Sequence, residues 1–136
     1  MDVHTKAVRS YNMSHIKARD TKPEVKVRKY LFSQGLRFRK NDRRFPGVPD
    51  IVLPKYKTMV FINGCFWHVH NCKYFSLPKT NRDFWLEKLE NNKKRDKLIY
   101  LKNQNMGWKI IVIWQCEIKG DLFVHRMEQL IQQIVS

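Results

Sequence analysis

Apolar positions follow two periods along this chain, and the alternation between them predicts the elements. After the start signal Thr21-Lys22-Pro23-Glu24, Val27 and Leu31 recur at helical spacing up to Gly35. Thr21 can cap this helix, Pro23 suits its first turn, Glu24 takes the capping-box position and Gly35 fits just past its end. Leu36 to Lys40 reads as a strand with basic alternate positions, followed by a basic turn, Asn41-Asp42-Arg43-Arg44-Phe45-Pro46-Gly47. Two short apolar runs, 50–53 and 58–62, separated by a turn from Pro54 to Lys57, predict an antiparallel hairpin opened by Pro49.

Beyond a loop at 73–79 containing Pro78, the period returns to helical. Thr80 is the expected cap of a helix over 81–106, with Asp83 in the capping-box position and Gly107 as its stop. Trp85, Leu89, Asn92, Asp96 and Ile99 share one side of it, mixing core residues with a carboxylate. Trp108 to Trp114 is the strongest buried-strand signal, and the long helix before it makes a parallel crossover plausible. A last amphipathic helix over 121–135 turns Phe123, Met127, Leu130, Ile131 and Ile134 inward. The whole predicts an α/β fold with a mixed central sheet flanked by helices. Residues 1–136 read as one domain, and 1–20 as an arm in which Met13 and Ile16 can share one side of a short helix. Such an arm is expected to order only against the domain or a ligand.

Charge adds a partner. Lys and Arg number 27 against 12 Asp and Glu, a formal +15. That imbalance costs self-repulsion in the compact state, so a polyanion is the expected partner, nucleic acid ahead of an anionic membrane surface. No apolar run approaches a membrane span, and the first residues lack a signal-peptide core. The expected compartment is the cytosol or a bacterial nucleoid, where the three cysteines are thiols or metal ligands rather than disulfides.

Chemistry concentrates at 61–72, Phe-Ile-Asn-Gly-Cys-Phe-Trp-His-Val-His-Asn-Cys, which holds two of the three cysteines and two of the five histidines. Cys65, His70 and Cys72 form a close trio, and Cys116, just past the last strand, completes a Cys3His set suited to tetrahedral, structural zinc. Unrelated buried thiols are the competing reading. Asp50, at the start of a hairpin strand, could hold Mg²⁺, with Glu24 and Asp96 from two helices completing an acidic site. Taken locally, Asp50 is equally an ordinary turn residue, and Glu24 a cap.

Several segments together resemble the very-short-patch-repair (Vsr) DNA mismatch endonucleases of the PD-(D/E)XK, restriction-endonuclease-like superfamily. They are Asn12-Met13…Ile16…Arg19-Asp20-Thr21…Glu24, Phe45-Pro46-Gly47-Val48-Pro49-Asp50, Gly64-Cys65-Phe66-Trp67-His68…His70…Cys72, Phe84-Trp85-Leu86-Glu87-Lys88 and Trp114-Gln115-Cys116. The resemblance implies a restriction-endonuclease-like fold and an Mg²⁺-dependent enzyme. Such an enzyme nicks one strand of double-stranded DNA 5′ to the thymine of a T:G mismatch, the product of 5-methylcytosine deamination. It implies that Asp50 holds Mg²⁺ with the backbone carbonyl of Ile62, while Glu24 and Asp96 act through water or by orienting histidine. His68 would lie at the scissile phosphate, and Cys65, His70, Cys72 and Cys116 would hold structural zinc. Phe66, Trp67 and Trp85 would wedge into the base stack, with Met13 and Ile16 pressing from the minor groove. For Trp85, a core role beside Leu89 competes. A monomer is the expected working unit, with mismatch-repair proteins as further partners.

In one place the chain departs from the family pattern, which has a histidine, taken as general base, where this chain has Asn63. An amide accepts no proton at neutral pH. Two readings follow: another group such as His68 or Glu24 takes the proton, or this is a slow or inactive relative that binds mismatches. A nickase of altered mismatch or sequence range is a third.

Overall fold

The computed structural model describes residues 21–68, 70, 72 and 76–136. The arm at 1–20, with Met13 and Ile16, lies outside them, as does part of the loop at 73–79.

Helix α1 (Lys22–Ser33) begins where expected, with Pro23 in its first turn. Thr21 holds the N-cap position in extended conformation, but its hydroxyl makes no capping bond. The far end closes as a Schellman motif: Gly35 takes φ +86°, its N–H reaches the Phe32 carbonyl at 3.0 Å, and the Leu36 N–H reaches that of Leu31 at 3.1 Å. Only Arg39–Lys40 of the predicted 36–40 strand pairs as β1, opposite Val52 and Ile51; that partner strand ends at Leu53 before the Pro54–Tyr56 turn, and Leu36 and Phe38 pack into the core without a strand partner. Strands β2 (Ile51–Leu53) and β3 (Thr58–Asn63) form the predicted hairpin, with Ile51 opposite Val60 and Lys57 left-handed in the turn.

Helix α2 (Arg82–Asn105) starts one residue later than the sequence suggested. Asn81, in the left-handed region at φ 54°, occupies the N-cap position rather than Thr80, and no side chain caps it. Asparagine tolerates that conformation better than β-branched threonine, which explains the displacement. Gly107 ends α2 with a second Schellman motif, as Trp108 donates to the Asn103 carbonyl at 3.2 Å. Strand β4 (Lys109–Trp114) then runs parallel to β3, so the predicted crossover forms. Its burial alternates, with Ile111 and Ile113 covered and their neighbours partly open. Helix α3 (Leu122–Val135) closes the chain.

The sheet order is β1-β2-β3-β4, antiparallel except for the last pair. Strand alternation divides its side chains between two cores. On one face Ile51, Leu53, Val60, Ile111 and Ile113 pack against Val27 and Leu31 of α1 and Phe123, Met127, Leu130 and Ile134 of α3. On the other, Val52, Met59 and Phe61 meet Ile99 and Tyr100 of α2. The same alternation gives Asn63, two residues beyond Phe61, to the α2 side.

Candidate active site and metal centre

Two elements deliver the acidic residues to one place. Glu24 enters from the first turn of α1, on the stripe it shares with Val27 and Leu31, and is 4% exposed. Asp50 enters from the residue before β2, where its Oδ2 accepts the Ile62 N–H at 2.6 Å. Burial and the neighbouring Glu24 carboxyl push Asp50 up to about 7, against the opposing pull of the Ile62 N–H and Arg28. Arg28 pairs with Glu24 at 3.7 Å one helical turn along. Closely placed carboxyls of this kind suit a hard divalent cation, whose charge offsets their repulsion and whose ligands are oxygen.

The third acid, Asp96, comes across on α2 and accepts from Nδ1 of His68 at 2.5 Å. That contact occupies Nδ1 and leaves Nε2 as the ring's other nitrogen. Glu24, Asp50, Ile62, Asn63, His68 and Asp96 all line one cavity of about 590 Å³. Asn41, Arg43, Arg95 and Tyr100 line it as well. Both arginines are exposed and bring positive charge to its edge. The mouth also depends on Gly47, at φ +77°, where an added Cβ would lie 2.5 Å from Ile99 Cγ2.

Tyr100 is the lining residue that sequence reasoning missed. It lies one turn after Asp96 on α2, so the helical stripe already contained its signal. Its ring packs edge-on against Phe61 with centroids 5.1 Å apart, and its hydroxyl accepts from Asn63 Nδ2 at 2.7 Å. Asn63 itself is 4% exposed. Burial raises the phenol to about 12, despite the amide that donates to it.

Just past β3 the chain turns through Cys65, Phe66, Trp67 and His68, with the His68 N–H on the Gly64 carbonyl at 3.3 Å. Phe66, Trp67 and Trp85 form a mutual cluster, with centroid separations of 5.0, 5.6 and 5.8 Å. All three are half-buried, so Trp85 packs with the aromatic loop and keeps one side open. Asn92 fixes the loop by donating to the Trp67 carbonyl at 3.3 Å, and Lys88 Nζ stands 5.7 Å from the Trp67 ring.

Behind the rings, one ligand atom from each of Cys65, His70, Cys72 and Cys116 lies within 4.8 Å of the others. Tetrahedral zinc with its usual bond lengths spaces such ligands about 3.5–3.8 Å apart, and Cys116 Sγ stands 3.4 Å from His70 Nδ1. The His70 ring stacks on Trp114 at 4.1 Å and 9°. Burial and the adjacent Cys65 and Cys72 thiols push Cys116 up to about 12, a crowding that a bound dication relieves. None of the three cysteines is in a disulfide. The donor set fits structural zinc and leaves no protein position open for chemistry.

Comparison with known proteins decides the family. A family described as DNA mismatch endonuclease Vsr matches residues 1–74, which include the hairpin, Asp50 and the aromatic loop. The type II nicking enzyme V.NmeAIP of Neisseria meningitidis serogroup A is 49% identical over 134 residues, spanning 98% of this chain and 96% of that protein. The chain belongs to the Vsr family. The DNA mismatch endonuclease Vsr of Escherichia coli K12 is 44% identical over 119 residues, 88% of this chain and 76% of its own length. Another relative, the nicking enzyme V.XorIIP of Xanthomonas oryzae pv. oryzae, is 42% identical over 81% of each chain. As a Vsr-family protein the chain is a DNA endonuclease, and DNA is its substrate. No helix among the described residues is long and apolar enough to cross a membrane.

Proposed function

We propose that this Vsr-family endonuclease is Mg²⁺-dependent and nicks one strand 5′ to the thymine of a T:G mismatch. The observation that carries the reading is the convergence of Asp50, Glu24, Asp96 and His68 on one cavity beside the Phe66-Trp67-Trp85 cluster. Asp50 and the Ile62 carbonyl would hold Mg²⁺, which when bound supplies charge neutralisation at the phosphoryl oxygens. Glu24 adds negative charge beside Asp50 and accepts protons from water in the cavity. Asp96 fixes the His68 ring so that Nε2 can pass a proton to the leaving oxygen. Phe66, Trp67 and Trp85 present ring faces and edges to the base stack. Unstacking costs a few kcal/mol and less at a mismatch, so the wedge discriminates as it binds. Met13 and Ile16 of the 1–20 arm are proposed to press from the minor groove, and residues 1–136 to work as one domain and as a monomer. Bacterial cytoplasm, at the nucleoid, is the proposed setting, with mismatch-repair proteins as further partners.

A second reading rests on Asn63. Its amide is committed to Tyr100 and is no base, which favours a protein that binds mismatches and cuts slowly. The relatives' names divide between mismatch endonuclease and type II nicking enzyme, so mismatch range is part of the same question. The test is a strand-labelled duplex panel holding T:G, T:A and other mismatches, incubated with protein and Mg²⁺. Nicking 5′ to the thymine of T:G alone is the expected result. A shifted complex with no nick establishes the second reading, and nicking across the panel removes the T:G specificity.

A further inference from the structure

Asn63 and Tyr100 form a unit that the proposed mechanism does not use. Asn63 stands at the end of β3 on the α2 side of the sheet, and Tyr100 stands on α2 one turn beyond Asp96. The tyrosine ring is fixed edge-on against Phe61, leaving little freedom except rotation of the O–H. One lone pair of the hydroxyl accepts the Asn63 amide N–H at 2.7 Å. No acceptor for the hydroxyl's own proton is found among the described residues. Both residues line the cavity that holds Asp50, Asp96 and His68. A tyrosine keeps its proton at neutral pH, so it enters that cavity as a neutral donor.

We propose that Tyr100 is a substrate-contacting residue of this endonuclease, donating its O–H to a non-bridging oxygen of the scissile phosphate, with Asn63 as the positioning residue that aims it. The inference rests on the site reading given above and deepens it. Negative charge builds on the non-bridging oxygens as the attacking oxygen closes on phosphorus and the bond to the leaving oxygen breaks. A fixed neutral donor stabilises that charge without adding a cation to the site. Asn63 thus has a role other than proton acceptance. A lone aromatic ring filling space beside Phe61 would need no hydroxyl, and a hydroxyl serving only to satisfy Asn63 would not need to line the cavity.

The experiment compares the full-length protein with Tyr100→Phe, which keeps the ring on Phe61, in single-turnover nicking of a T:G duplex with Mg²⁺. The expected result is a nicking rate lower by about 10²-fold, with DNA affinity within about twofold and only a modest drop in melting temperature, as the buried Asn63 amide loses its acceptor. Sulfur is a poor acceptor, so substituting it for the contacted non-bridging oxygen should slow the wild type and erase its advantage over Tyr100→Phe. Asn63→Ala should give a similar loss, and the double variant should be no slower than the worse single one. Wild-type cutting by Tyr100→Phe overturns the proposal, as does a full Tyr100→Phe defect on both phosphorothioate diastereomers. Additive losses overturn the positioning role of Asn63. Asp50→Ala serves as the reference: if it also nicks at the wild-type rate, the site reading has failed rather than the Tyr100 assignment alone.

Discussion

At the scale of single residues, the site is held in a state that a cation should complete. Asp50 sits against Glu24 and is raised from 3.8 to about 7, chiefly by burial. A carboxyl with a raised value favours the fold fully below its ordinary value and loses that contribution as pH rises through the folded one. On the proposed assignment of Asp50 to Mg²⁺, the site would therefore exchange a proton for a divalent ion around neutral pH. The Mg²⁺ concentration for half-maximal nicking should fall as pH rises from about 6, then level above about 7 as Asp50 ionises. Titrating Mg²⁺ at fixed pH values checks this, and a pH-independent half-saturation would remove Asp50 from the ion. His68 and Asp96 illustrate what local sequence leaves out. The resemblance implies that Asp96 works through water or orients a histidine, and their 2.5 Å contact forms because the β3–α2–β4 crossover lays α2 over the aromatic loop. Tyr100 escaped for a related reason, since its hydroxyl matters only once Asn63 is known to face α2.

At the scale of elements, the structure follows the strong periodic signals and departs where backbone conformation decides. Val27 and Leu31 placed α1 and aimed Glu24, and the two Schellman closures at Gly35 and Gly107 were readable from the glycines. Strand β1 is shorter than the alternation over 36–40 predicts because its partner β2 ends at Leu53, which side-chain alternation does not reveal. Helix α2 starts one residue beyond the expected point because Asn81 takes a left-handed conformation that sequence spacing does not reveal. Element joints are where substitutions should act most sharply. Gly47→Ala places a Cβ 2.5 Å from Ile99 at a positive φ, so it should destabilise by about 1–3 kcal/mol. Denaturant unfolding measures that, and a loss under ~0.5 kcal/mol would show that the 45–48 turn yields freely. Cys116 ties the aromatic loop to the residues after β4. Cys116→Ala should abolish the one zinc expected per chain and cost more than about 2 kcal/mol. Metal analysis after dialysis checks this, and an unchanged zinc content would exclude Cys116 from the set.

At the scale of the molecule, a +15 chain carries a recessed acidic site on a basic background. Arg43 and Arg95 at the cavity's edge and Lys88 beside Trp67 would meet a phosphate backbone on the proposed binding mode, while the carboxyls stay inside. Binding and cutting are thus assigned to different residues, and they should separate under mutation. Asp50→Ala tests that division most directly, measured on one strand-labelled T:G duplex by both gel shift and nicking with Mg²⁺. Loss of a cation worth several kcal/mol at the transition state predicts a nicking rate lower by about 10²–10⁴-fold, with DNA affinity held within about threefold. Nicking by Asp50→Ala at the wild-type rate would contradict the account.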